Sequence, residues 1–339
     1  MDNPRPRPQD QGVSDAIIRT AGITKRFADL TAVDHLDLEV RPGEVFGLLG
    51  QNGSGKTTLI RMLNTLLPPS AGRAWVCGFD VVRQPAAVRR CIGVVPQNMT
   101  SDADLTALEN MDLYARFYDV SRGERRRLIE QLLRQVQLWD FRHKYVGAFS
   151  GGMRRRLEIA RGLIHRPRLL ILDEPTLGLD PNSRRNVWRL VRTFLRDFDL
   201  TVLLTTHYLE EADNLCQRVA LIDRGKLIAL GSPAELIAGT PGGDRIHLAV
   251  APGTAVDWSF LSAVPGVEAV EPAGATVQIR VSKATATITE LLKRCEQRGV
   301  PLKHVQIGRA TLEDAFIHYV GHTIHDELSG YAVGMLEAI

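Results

Sequence analysis

Two periods of apolar and polar positions alternate along this chain, and each change of period marks a new part. Ala16 to Thr20, Val33 to Val40 and, after a Pro42-Gly43 turn, Val45 to Leu49 alternate or run apolar in short blocks, which predicts strands. Leu59 to Leu67 predicts a helix stopped by Pro68-Pro69, and Gly72 to Asp80 a strand pair. Pro85 opens a short basic helix, and the apolar strand Cys91 to Val95 delivers Gln97 to a loop. From Asp102 to His165 the period becomes helical, with Leu128, Leu132 and Leu133 on one face. Strand and helix then alternate: Leu169 to Leu172, Asn182 to Phe198, Thr201 to Thr205, Leu209 to Cys216 and Val219 to Asp223. In the first of these helices Val187, Leu190, Val191, Phe194 and Phe198 recur at spacings of three and four, a face suited to covering a sheet. Asp180 is placed to cap that helix, with Pro181 at its first position. Such alternation predicts an α/β domain over 15–240 with a largely parallel sheet covered on both faces, interrupted by a helical subdomain at about 100–165. Ser232-Pro233-Ala234-Glu235 reads as the capping box of its last helix.

Beyond a linker at Gly239 to Gly243 the pattern starts again. Ile246 to Val250, Val267 to Glu271, Thr276 to Val281 and Val305 to Ile307 read as strands, with helical patterns at Trp258 to Val264 and Thr287 to Arg298 between them. That order predicts a small α+β, ferredoxin-like accessory domain over 244–320, ending in a helix at Leu312 to Val320. Residues 1–14, where Pro4, Pro6 and Pro8 alternate with Arg5 and Arg7, read as a disordered tail without the apolar core of a secretory signal. Residues 321–339 read as a C-terminal tail.

Composition adds exclusions. The 339 residues suffice for two domains, and 42 basic against 39 acidic residues leave a net charge of +3, too balanced to suggest nucleic acid as the partner. Arg122, Arg125, Arg126 and Arg127 read as a solvated helix face, with a docking surface as the alternative. The four cysteines are scattered without a C-x-x-C pair, so neither a disulfide framework nor a zinc site is expected, and a reduced cytosolic compartment fits. His318 and His322 are four apart, but Gly321 interrupts the helix between them, so no metal is assigned there. No run of about 18 apolar residues occurs, so any work at a membrane would go through a partner.

Three constellations carry chemistry. Gly50-Gln51-Asn52-Gly53-Ser54-Gly55-Lys56-Thr57-Thr58 fits G-x-x-x-x-G-K-[ST] between a strand and a helix, the context this phosphate-binding loop requires. Its glycines let backbone N–H groups converge on a polyphosphate at a helix N-terminus; Lys56 would reach the β- and γ-phosphates and Thr57 would ligate Mg²⁺. Leu169 to Leu172 followed by Asp173 and Glu174 is an apolar strand ending in two carboxylates, the first suited to Mg²⁺ and the second to positioning or deprotonating water. Ser150, Gly151 and Gly152 open another helix, a second anion-ready N-terminus.

Taken in order, these motifs resemble an ATP-binding cassette (ABC) ATPase over residues 16–240. Gly50 to Thr57 resembles the Walker A loop, Gln97 the Q-loop, Ser150-Gly151-Gly152-Met153 the signature, Leu169 to Asp173 with Glu174 Walker B, Leu177-Gly178-Leu179-Asp180 the D-loop and His207 the switch histidine. Phe27 is similar in position to the aromatic that stacks on adenine. Met153 stands where many cassettes have glutamine and Phe27 where many have tyrosine; a phenyl face still stacks. The resemblance implies a phosphate-loop NTPase core, ATP and Mg²⁺ as cofactors, and Thr57, Gln97 and Asp173 around the metal. It also implies a head-to-tail dimer in which Ser150 of one copy and Lys56 of its mate enclose a shared triphosphate, with Glu174, His207 and Lys56 catalytic and Asp180 reaching across.

Arg154, Arg155 and Arg156, the appended domain and Thr311-Leu312-Glu313-Asp314-Ala315-Phe316 resemble ATPase subunits of daunorubicin-resistance-type (ABC-2) exporters. This implies an ATPase docked on the cytoplasmic face of the inner membrane, driving export of drugs, lipids or related amphiphiles through a separate transmembrane permease. The alternative is a soluble cassette that clamps nucleic acid or a ribosome, although such proteins usually carry two cassettes or long coiled coils.

Overall fold

The structure, a computed structural model, describes residues 16–240, 244–251, 253–254, 256–308 and 310–321. The tail expected over 1–14, linker residues 241–243, the tail beyond Gly321, and with it His322, lie outside them. The chain divides into two compact units between Pro233 and Ala234.

In the first unit the elements run β1 (Ile18–Phe27), β2 (Leu30–Val40), β3 (Val45–Leu49), α1 (Lys56–Leu63), β4 (Ala71–Val76), β5 (Phe79–Asp80), α2 (Pro85–Cys91) and β6 (Ile92–Val95). Then come α3 (Ala107–Phe117), α4 (Arg122–Gln135), α5 (Gly151–Leu163), β7 (Leu169–Asp173), α6 (Pro181–Asp197), β8 (Thr201–Thr206), α7 (Leu209–Leu215), β9 (Arg218–Asp223), β10 (Lys226–Gly231) and α8 (Pro233–Ala238), the last helix straddling the division. The central sheet has the order β10-β9-β3-β8-β7-β6, antiparallel only at β10 and β9. β3, β7 and β8 are buried at every residue, which is why their sequences read as unbroken apolar runs. A second sheet, β2-β1-β4-β5, is antiparallel throughout.

The register sets the site. Leu49 pairs with Thr206 and Asp173 with Thr205, so the loops after β3, β7 and β8 leave one edge of the sheet together. α6 buries Val187, Leu190, Val191 and Phe194, the face its spacing predicts. α1 begins at Lys56 rather than Leu59, because its first turn is polar and carries no apolar period. In the helical segment, Thr106 and Glu109 form a reciprocal capping box on α3, while α4 buries Leu128, Ile129, Leu132 and Leu133.

The second unit contains β11 (Asp244–Val250), β12 (Val267–Ala273), β13 (Thr276–Val281), α9 (Ala284–Gln297), β14 (Leu302–Gly308) and α10 (Leu312–Val320). Its sheet order is β12-β13-β11-β14 with every neighbouring pair antiparallel, the ferredoxin-like arrangement. Trp258–Ala263 forms a 3-10 segment rather than an α-helix; it is six residues long, capped by Asp257, and runs into Pro265-Gly266. Thr311 and Asp314 cap α10 reciprocally.

Candidate functional site

The phosphate loop is wedged between two strands. A Cβ on Gly55, which caps α1 at φ 105°, would lie 2.3 Å from the Ala32 carbonyl of β2, and one on Gly50 would lie 2.2 Å from the Ile222 carbonyl of β9. Side chains at either position would push the loop off the sheet. Lys56 is 5% exposed, and its ammonium donates to the carbonyls of Gly50 and Gln51, both at 2.7 Å, so its charge sits inside the curl of the loop. Ser54 is buried, whereas Asn52 and Gly53 are exposed and Gln51, Thr57 and Thr58 half-buried. Phe27 ends β1 with 44% of its surface exposed and Lys25 Nζ 5.1 Å from its ring centre, leaving aromatic surface at the rim of the β1–β2 hairpin that abuts the loop.

At the same sheet edge Asp173 and Glu174 are both buried. Thr205 of β8 serves both: its hydroxyl donates to Asp173 Oδ1 at 2.6 Å and accepts from the Glu174 N–H at 3.0 Å. Burial pushes the Asp173 carboxyl above the ordinary carboxylate range; the Thr205 bond opposes this, the Glu174 charge adds to it and Lys56 draws it back. Glu174 takes φ 50°, unusual for a non-glycine residue, and its N–H is also held by the Thr205 carbonyl at 3.2 Å. Its Oε2 lies 2.5 Å from His207 Nδ1, so two residues 33 positions apart in the sequence meet as a pair. Gln97 is exposed two residues beyond the end of β6, beside β7 at the same edge.

Ser150 caps α5, its hydroxyl accepting from Met153 N at 3.3 Å. This helix start meets the segment of Asp180: a Cβ on Gly152 would lie 2.6 Å from Ser183 Oγ, and Leu179 borders Gly151. Asp180 caps α6, accepting from the N–H groups of Asn182 and Ser183 at 3.0 Å and from the Ser183 hydroxyl at 2.6 Å. Ser150 to Gly152 and Asp180 are therefore brought together through Leu179 and Ser183.

Several contributors escape sequence reasoning. Thr205 reads as an ordinary strand threonine. Glu211 of α7 is fully buried, accepting from Trp188 Nε1 at 3.0 Å; burial raises its pKa against hydrogen bonds from Thr206, Trp188 and Thr176. The basic run after the signature turns inward onto carbonyls: Arg154 to Val146 at 3.0 Å, Arg155 to Pro96 and Gln97 at 2.7 Å each, and Arg156 to Val136 at 2.7 Å. Arg122, Arg126 and Arg127 of the earlier run are exposed, while Arg125 pairs with Asp112 at 2.6 Å.

A phosphate loop followed by a buried carboxylate pair on the edge of a mostly parallel sheet defines a phosphate-loop ATPase. Solved structures agree: cbiO1 of the cbiONQ transporter from Clostridium perfringens superposes with a TM-score of 0.62 at 26% identity, covering 67% of this chain and 92% of that one. The dimeric post-hydrolysis ATP-binding cassette MJ0796 bound to ADP and Pi gives 0.58 at 25% identity, covering 63% and 98%. Residues 33–177 match the ABC transporter family and residues 231–320 the ATP-binding protein DrrA1-3-like C-terminal domain. The chain is 41% identical to daunorubicin resistance ATP-binding protein DrrA3 of Streptomyces coeruleorubidus over 91% of this chain and 97% of that protein. It is 37% identical to Nod factor export ATP-binding protein I of Cupriavidus metallidurans over 92% and 99%. It belongs to the ABC transporter ATPases.

Proposed function

We propose that this chain is the energising subunit of an exporter, hydrolysing MgATP in a head-to-tail pair of copies on the cytoplasmic face of the inner membrane and driving a separate transmembrane permease of the ABC-2 type. The observation that carries the chemistry is the Glu174–His207 pair, held by Thr205 at the sheet edge that also bears the phosphate loop. Glu174 is the group that orients or deprotonates the attacking water, and the His207 ring fixes its carboxylate. Lys56 and the loop N–H groups bind the β- and γ-phosphates, and the exposed face of Phe27 stacks on the base. Ser150 and Gly152, with Asp180 beside them, face the triphosphate held by the mate.

The donor chemistry at this sheet edge fits Mg²⁺: the Thr57 hydroxyl, the Asp173 carboxylate and the Gln97 side-chain carbonyl are all hard oxygen ligands. Held there, the ion would supply neutralisation of phosphate charge.

Among the described residues no helix is long and apolar enough to cross a membrane. An open groove of about 830 Å³ between α3 and α4 offers a docking surface, with Leu108, Ile129 and Trp139 in its lining and Arg116, Arg122 and Arg126 around them. The relatives' names, which include linearmycin resistance beside daunorubicin and Nod factor, favour a drug or lipid-like amphiphile as cargo. In protein purified with its permease, Glu174→Gln is expected to retain ATP binding and lose hydrolysis by about 10²- to 10⁴-fold. Full activity in that variant defeats the assignment.

A further inference from the structure

We infer that Arg155 and Glu158 are positioning residues that lock the Gln97 loop onto the helix begun by Ser150, so that the two segments move as one body. Arg155 is 1% exposed, and its two terminal nitrogens hold the carbonyls of Pro96 and Gln97 at 2.7 Å each. Three residues on, along the same helix face, Glu158 is 3% exposed and grips the other end of the loop. Its Oε1 accepts from Thr100 N at 2.9 Å and Ser101 N at 2.5 Å, and its Oε2 from the Thr100 hydroxyl at 2.8 Å. Arg161 completes the set, reaching Glu158 Oε1 at 3.0 Å. One turn of α5 thus holds residues 96–101 by five hydrogen bonds while the Gln97 side chain stays exposed.

Stability alone does not explain this arrangement. A buried guanidinium is costly to desolvate, and replacing buried ions with well-packed apolar residues is often neutral or stabilising. What an apolar residue cannot do is aim two donors at consecutive carbonyls. The Arg155 charge is also within electrostatic reach of Glu158, Asp173 and Glu211. On the proposed function, on which this inference rests, Gln97 serves the nucleotide of its own copy and Ser150 that of the mate. The clamp therefore links the two sites.

The test is a double-mutant cycle of Arg155→Met with Gln97→Ala, measured on the permease-bound protein. Arg155→Met is expected to lower kcat roughly tenfold to a hundredfold, the scale of an ångström-sized misplacement, while ATP affinity and melting temperature hold. Arg155→Lys, which restores one donor, recovers part of the loss. In a Gln97→Ala background the Arg155→Met penalty nearly vanishes, because there is no side chain left to position. Independent, multiplying losses overturn the inference, as does a fall in ATP affinity and melting temperature alongside kcat. If Arg155→Met does not fold, Glu158→Gln enters the same cycle with the same criteria. Failure of the proposed function shows separately, as activity surviving Glu174→Gln.

Discussion

Asp173 is held in a setting that resists its own charge. Burial and the neighbouring Glu174 favour the neutral carboxyl, and Thr205 and Lys56 only partly offset them. A carboxyl with a raised folded-state pKa binds more protons folded than unfolded across the interval between its two pKa values, so stability falls as pH rises through that interval. Asp173→Asn removes this dependence. The nucleotide-free variant is expected to melt above the parent at neutral pH by a few degrees, with the gap closing in acid, while its ATPase activity is lost; calorimetry across pH reads both limbs. A gap independent of pH counts against the account. Asp173 and Glu174 were legible because a carboxylate pair interrupts an apolar run, and Lys56 because its spacing from the glycines is rigid. Thr205, Arg155, Glu158 and Glu211 were not, because a threonine in a strand or a charge on a helix has an ordinary solvated or structural reading, and only the fold shows which carbonyl or carboxylate it meets.

At the level of elements, α6 carries two demands at one position. The Asp180 carboxylate satisfies the first N–H groups of the helix and holds the Ser183 hydroxyl, which lies against Gly152 at the start of α5. Asp180→Ala is expected to lower the melting temperature, since alanine cannot cap. Asp180→Asn caps equally well and is expected to melt with the parent; on the proposed function, in which the carboxylate charge would reach the mate, it is expected to lose ATPase activity. Thermal melts and steady-state hydrolysis on both variants separate the roles, and an active Asn variant would confine Asp180 to capping. Most elements were visible in the pattern, since strands buried on both faces and helices covering them have distinct periods. β10 was not: Lys226–Gly231 alternates half-buried and exposed positions at the sheet edge, where little burial enforces an apolar pattern. The Trp258 segment looked helical because its apolar spacing is the same over six residues whether the turn is α or 3-10.

For the whole molecule, the candidate site falls in one of the two units. Every candidate site residue, from Phe27 to His207, lies before Pro233, and the second unit packs its own core of Ile246, Leu248, Trp258, Ile279 and Leu291 around a four-stranded sheet. A unit with its own core and its own antiparallel sheet can in principle fold alone. We propose that it serves dimer contact or regulation. Truncation after Ala238 is then expected to leave ATP affinity unchanged, while a Glu174→Gln protein so truncated forms fewer ATP-dependent dimers by sedimentation, or the otherwise unmutated truncation loses stimulation of hydrolysis by the permease. Lost ATP binding would mean that the first unit depends on the second for its fold. Unchanged assembly and unchanged coupling would leave the second unit outside the transport cycle.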